Sequence, residues 1–174
     1  EREVFASSSD DVLAVRLTAS RKNSLSLYIT LSSPLHYELE APAFDELTMR
    51  GVAPIRVDPD YYVVDGRSPI VYEENGHTGM RFRTCLKVVA KGGVVSSDTC
   101  GIRVDQASEV VVLLSAATSF NGFDKYPDTE GADEKSLAEN MLNTASAYTY
   151  KNLKKRHVSD FRKYFDRFSV SLGL

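Results

Sequence analysis

Strict alternation of apolar and polar residues over several consecutive stretches constrains this chain more than any other feature. Leu13, Val15 and Leu17 alternate with Ala14, Arg16 and Thr18, and Leu25, Leu27, Ile29 and Leu31 alternate with Ser26, Tyr28 and Thr30. Met80, Phe82, Leu86, Val88 and Ala90 alternate with Arg81, Arg83, Lys87 and Lys91. Successive side chains of a strand point to opposite faces, so period two predicts half-buried antiparallel strands. Leu47 and Met49 give a shorter strand ending at Gly51, and Ile102 and Val104 another. Val110-Val111-Val112-Leu113-Leu114 is apolar on both faces, which predicts a central strand covered on both sides. The polar Arg21-Lys22-Asn23-Ser24 and the Gly92-Gly93 pair between alternating runs predict two hairpins, since glycine accepts the positive φ of a type I′ turn. Val52 to Ser68, with Pro54, Pro59 and Gly66, reads as an ordered loop.

Beyond Pro127 the period changes to that of a helix. Asp133 is placed as an N-cap ahead of Leu137, Met141, Leu142 and Ala145. A second helical stretch carries Leu153, Val158, Phe161, Phe165 and Phe168, with Lys151, Lys154, Lys155, Arg162 and Lys163 on its other face. Two amphipathic helices therefore dock on an apolar surface. Ser169 to Leu174 returns to strand-like alternation. The expected organisation is a β-sandwich portion over 1–126, a helical linker over 127–168 and a strand-like tail over 169–174. The fold class is mainly β, an antiparallel sandwich followed by two helices.

The chemistry that the sequence excludes is as informative. A net charge of −3 gives no electrostatic reason for a nucleic-acid partner or an anionic membrane surface, and the longest apolar run is far too short to span a bilayer. Glu1-Arg2-Glu3-Val4-Phe5 is not a signal peptide, so any export signal is expected upstream. Cys85 and Cys100 have neither CxxC spacing nor a histidine cluster beside them, which argues against a metal site. A Gly92-Gly93 hairpin would place them opposite each other, but disulfide geometry is demanding and two free thiols are expected. His36, His77 and His157 do not share ligand spacing, and a lone histidine reads first as packing. Carboxylates are plentiful, but a pair facing each other across a cleft for general acid and base work cannot be assigned from sequence neighbours. No catalytic, cofactor-binding or metal-binding residue is assigned. The candidate binding residues are Phe120, Asn121, Phe123, Asp124 and Lys125, where a buried strand runs into a loop with two aromatics, an amide and a charge pair. Such a loop can present rings and an amide to a sugar. It can equally anchor the strand-to-helix junction, with Phe120 and Phe123 plugging a core, and aromatics at a strand exit more often pack than bind. Tyr61-Tyr62 poses the same choice on a smaller scale.

Several segments together resemble family 95 glycoside hydrolases. They are Glu3-Val4-Phe5-Ala6-Ser7 followed by Asp10-Asp11-Val12-Leu13-Ala14-Val15-Arg16-Leu17-Thr18, then Arg50-Gly51-Val52-Ala53-Pro54 with Asp58-Pro59-Asp60-Tyr61, then Gly79-Met80-Arg81-Phe82. The strongest is Ala117-Thr118-Ser119-Phe120-Asn121-Gly122-Phe123-Asp124-Lys125, and Tyr150, Leu153, His157, Asp160, Phe161, Phe165, Arg167 and Leu172-Gly173 close the match. The resemblance implies an N-terminal β-sandwich and a helical linker ahead of an (α/α)6 catalytic barrel in the same polypeptide. It also implies inverting release of terminal α-L-fucose by barrel residues outside this chain, fucosylated glycans as candidate ligands, and a periplasmic or extracellular location. Family members carry further sandwich residues before the segment matched by Glu3–Ser7. The chain is therefore expected to be the second half of a larger sandwich, with an exposed edge or apolar face.

Overall fold

The computed structural model describes residues 1–173. Thirteen strands come first in the chain: β1 (Arg2–Ser7), β2 (Val12–Thr18), β3 (Leu25–Ile29), β4 (His36–Glu40), β5 (Glu46–Val52), β6 (Arg56–Val57), β7 (Ile70–Val71), β8 (Glu73–Glu74), β9 (His77–Thr78), β10 (Arg81–Lys91), β11 (Val94–Asp98), β12 (Gly101–Ala107) and β13 (Glu109–Thr118). Two helices follow, α1 (Glu134–Ser146) and α2 (Tyr150–Phe165). A six-stranded antiparallel sheet has the order β1-β2-β13-β10-β5-β4, and a three-stranded sheet the order β11-β12-β3. The expected mainly-β fold with two C-terminal helices is what forms.

Alternation explains the layering. On one face of the large sheet Leu47, Leu86, Val88 and Val110 pack with Ile102, Val104 and Ala107 of the small sheet. On the other, Val12, Ala14, Cys85, Val111 and Leu113 pack with Ala138, Leu142, Ala145 and Leu153 of the helices. β13 lies between β2 and β10 and contributes Val110 to one core and Val111 and Leu113 to the other. Its two-sided apolar run is thus explained as predicted. Asp133 caps α1, its carboxylate accepting from the Ser136 N–H at 3.1 Å. Of the helical residues singled out, Leu142 and Ala145 are buried, Ala138 joins them, and Leu137 is exposed.

Neither expected hairpin forms. β2 belongs to the large sheet and β3 to the small one; β10 and β11 are divided in the same way. Two alternating runs can satisfy their apolar faces side by side or face to face across a sandwich, and periodicity does not distinguish these. The crossings meet at Ser108, the single residue between β12 and β13. Its hydroxyl donates to Asn23 Oδ1 at 3.0 Å and accepts from the Asn23 N–H at 2.9 Å. Its own N–H donates to the Lys91 carbonyl, and its carbonyl accepts from the Ala19 N–H. Gly92 and Gly93 have φ of 75° and 73°. A Cβ on Gly93 would lie 2.2 Å from the Asp105 carbonyl oxygen.

The β11–β12 turn comes at Thr99-Cys100, slightly later than the Ser96-Ser97-Asp98 signal, with Asp98 accepting from the Cys100 and Gly101 N–H groups. Cys100 sits in that exposed turn while Cys85 is buried in the other sheet, and both thiols are free. Ser169–Gly173 form no strand, because the alternation there has no partner strand to pair with; Leu174 lies outside the described residues. Phe168 falls beyond the end of α2.

The sandwich is not closed. The small sheet lies over β10 and β5, leaving Val4 at 54% and Leu13 at 37% exposure on β1 and β2.

Replacing Gly93 by Ala forces both a positive φ on a residue with a side chain and a clash with the Asp105 carbonyl. A loss of more than about 1 kcal/mol is expected in urea unfolding, larger than for Ala at the open Gly76. Leu153→Ala, which empties a fully buried site beneath α2, should cost about 2–5 kcal/mol in the same assay.

Candidate functional site at the β13 exit

The antiparallel register gathers several connections at one end of the large sheet. β13 leaves there at Thr118, which pairs near the start of β10 at Phe82, and β5 ends there at Val52 opposite Arg81. The β1–β2 turn lies at the same end, since Leu114 of β13 pairs with Leu13. The β2–β3, β10–β11 and β12–β13 crossings occupy the opposite end, whereas the chain crosses from β3 to β4 at the exit end, where His36 pairs with Val52. The exit loop and the 53–80 insertion therefore share a region of the molecule.

Arg81 organises the exit loop. Its Nε donates to Glu134 at 3.1 Å, and its Nη1 donates to the Pro127 and Asp128 carbonyls at 3.1 and 2.6 Å. The wholly buried Ser119 accepts from the Arg81 N–H through Oγ at 3.0 Å, and its carbonyl accepts from the Ala132 N–H. Gly131 fits against this clamp with no room for a side chain, since a Cβ would sit 2.2 Å from the Pro127 carbonyl oxygen.

His77 ties the β8–β9 hairpin to the same loop. Its Nδ1 lies 3.1 Å from Asp128 Oδ2, which also accepts from the Thr78 N–H at 3.1 Å. The imidazole lies flat on Tyr126, with ring centroids 3.8 Å apart. Burial opposes the charge on Asp128, but the Thr78 N–H and the His77 ring outweigh it and hold the carboxyl below its ordinary 3.8.

The five candidate residues divide into two groups. Asn121 donates from Nδ2 to the Glu130 carbonyl at 2.8 Å, and Lys125 lies 3.6 Å from Glu130, so both brace the loop. Phe120 and Phe123 are 62% and 98% exposed. The expectation that these rings plug a core is overturned: the junction is anchored by polar groups, which leaves the rings outside. Asp124 makes no ion pair among the described residues. Tyr61 and Tyr62 are also exposed, with Arg67 over the Tyr62 ring.

Sequence reasoning missed Arg81, Ser119, His77 and Asp128. Arg81 and Ser119 both lie inside the segments of resemblance, which was the available signal. His77 and Asp128 are 51 residues apart, and nothing local links them.

Elsewhere several charged groups are engaged structurally. Asp10 accepts from Ser7 and Arg156, and Asp58 is paired with Arg67 and Arg56. Burial pushes the Cys85 thiol above its ordinary value, which leaves it a poor nucleophile. Among the described residues no helix is long and apolar enough to cross a membrane.

The family model described as "Glycosyl hydrolase family 65, N-terminal domain" matches residues 1–122, and the chain belongs to this family. The chain is also 33% identical over 176 residues to alpha-L-fucosidase 2 of Arabidopsis thaliana, a match covering 99% of this chain and 21% of that protein. The expectation of a fucosidase-type glycoside hydrolase N-terminal region is met; the matching model bears family number 65 where the resemblance was to family 95.

Arg81→Met should release the loop, raising hydrogen exchange over residues 119–132 and lowering stability by about 1–3 kcal/mol. Because the folded Asp128 carboxyl titrates lower than the unfolded one, its contribution is present above the unfolded pKa and is lost as pH falls through the folded value. Asp128→Asn should therefore be less stable than wild type at pH 7, with the two converging at the acid end of a pH series of unfolding curves.

Proposed function

We propose that this chain is the non-catalytic N-terminal part of an exo-acting glycosidase of the α-L-fucosidase type, and that it scaffolds the catalytic barrel of the same polypeptide. In the whole enzyme that barrel would release terminal α-L-fucose with inversion. The carrying observation is the braced loop with Phe120 and Phe123 in solvent. Leaving a phenylalanine exposed rather than buried forgoes about 1.5–3 kcal/mol. Arg81, Ser119 and Gly131 hold these two rings out on a rigid support, as a knob for a neighbouring surface requires. The similarity to a protein roughly five times longer, by the 21% coverage, supports a large remaining domain.

The open apolar face of β1 and β2 supports the companion reading that further strands of the same polypeptide complete the sandwich. Under the family reading the enzyme works in the periplasm or outside the cell.

A second reading, an independent carbohydrate-binding module, draws on the same exposed rings. Asn121 does not decide against it: one Nδ2–H is held by the Glu130 carbonyl, while the exposed side chain keeps a second N–H and Oδ1 for other partners. A plain protein-interaction domain would use the same surface without any link to glycan chemistry.

Calorimetric titration of this chain with an α-1,2-fucosylated oligosaccharide separates the readings. No saturable heat is expected at high protein and ligand concentration, and the chain alone should not cleave the sugar. Binding at millimolar affinity or better, abolished by Phe120→Ala with Phe123→Ala, would make it a sugar-binding module instead.

A further inference from the structure

α2 is a helix of two halves. In the first, Leu153 is fully buried and His157 stacks on Phe5 with ring centroids 4.9 Å apart. Cation–carboxylate pairs flank that apolar ridge: Lys154 bonds Glu3, and Arg156 Nε donates to Asp10 at 2.8 Å.

The second half repeats the pattern with nothing beneath it. Phe161 and Phe165 continue the ridge at four-residue steps, stacked 5.2 Å apart, yet both rings are exposed. Lys163 stands seven residues after Arg156 and therefore on the same flank. Arg162 makes no ion pair among the described residues, and Lys163 reaches only Asp160 of its own helix.

The charge is lopsided as well. α2 holds six basic residues and one acidic one, so it carries +5 while the remainder of the chain carries −8 against a total of −3. Two copies of the chain meeting ridge to ridge would set these cations against each other, which disfavours self-association through this face.

We propose that the second half of α2 seats in an apolar groove rimmed by carboxylates on the catalytic domain of the same polypeptide. The first half shows the chemistry that the helix docks with: an aromatic floor and acidic flanks. The inference rests on the reading of the chain as a glycosidase's N-terminal part, and most of the length of its relative lies outside the matched region.

The test uses the full-length protein in scanning calorimetry, with glycosidase activity measured alongside. Two variants are compared with wild type, Arg162→Glu with Lys163→Glu, and Phe161→Ser with Phe165→Ser. These side chains touch neither core, so the sandwich itself should still fold.

Wild type should melt with sandwich and catalytic domain coupled. Both variants should resolve a separate sandwich transition lowered by about 4 °C or more. Salt near about 1 M should reproduce the effect of the charge reversal in wild type. An active enzyme whose transitions stay within a degree in both variants would overturn the groove and leave the functional reading standing. An inactive wild type that still shows the variant-dependent split would overturn the functional reading alone. Binding of wild type to phosphatidylglycerol vesicles, lost on charge reversal with no calorimetric change, would overturn the groove in favour of a lipid surface.

Discussion

A strand that is apolar on both faces is stable only if something covers each face, and β13 imposes this condition on the whole molecule. Its Val110 requires a second sheet and its Val111 and Leu113 require a helical layer. The three-layer order of helices, large sheet and small sheet follows. So does the need to cross between sheets abruptly at one end, where Ser108 joins the crossings through both its backbone and its hydroxyl.

The other end of the same strand sets up the candidate surface. Leaving the sheet at Thr118, the chain must turn back to place α1 over β13, with Ser115 Oγ donating to the Ala138 carbonyl at 2.7 Å. Polar groups close that turn: Arg81, Ser119, Asp128 and Glu134. Because backbone and guanidinium satisfy one another there, the aromatic rings are not needed inside and stand in solvent. Rigidity and exposed apolar surface in one loop together suit docking of a partner surface, since little conformational entropy remains to be lost on contact.

Much of this architecture was legible from the residues. The alternating runs located β2, β3, β5, β10 and β12, the doubly apolar run located the central β13, and Asp133 marked the start of α1; β4, β11 and the short β6 to β9 carry too few alternating apolar residues to show, and β6 lies within the stretch read as a loop. What alternation could not supply was the partner of each strand. Gly92-Gly93 and Arg21–Ser24 are turns in either a hairpin or a sheet crossing, and the choice depends on residues such as Ser108 far along the chain. The site was legible only as a segment. Phe120 to Lys125 stood out as a segment, but which of those side chains brace and which protrude depends on Arg81 and Glu130, whose contacts are tertiary. The His77–Asp128 contact had no local signature at all.

Hydrogen exchange over the exit loop and α2, compared between this chain alone and the full-length protein, tests the docking account most directly. The account predicts that amides around Phe120–Phe123 and Phe161–Phe165 exchange markedly more slowly in the full-length protein, while the Val110–Leu114 core is protected equally in both. Equal exchange at the loop and at the second half of α2 in the two proteins would contradict it, since those aromatics would then face solvent in the full-length protein too.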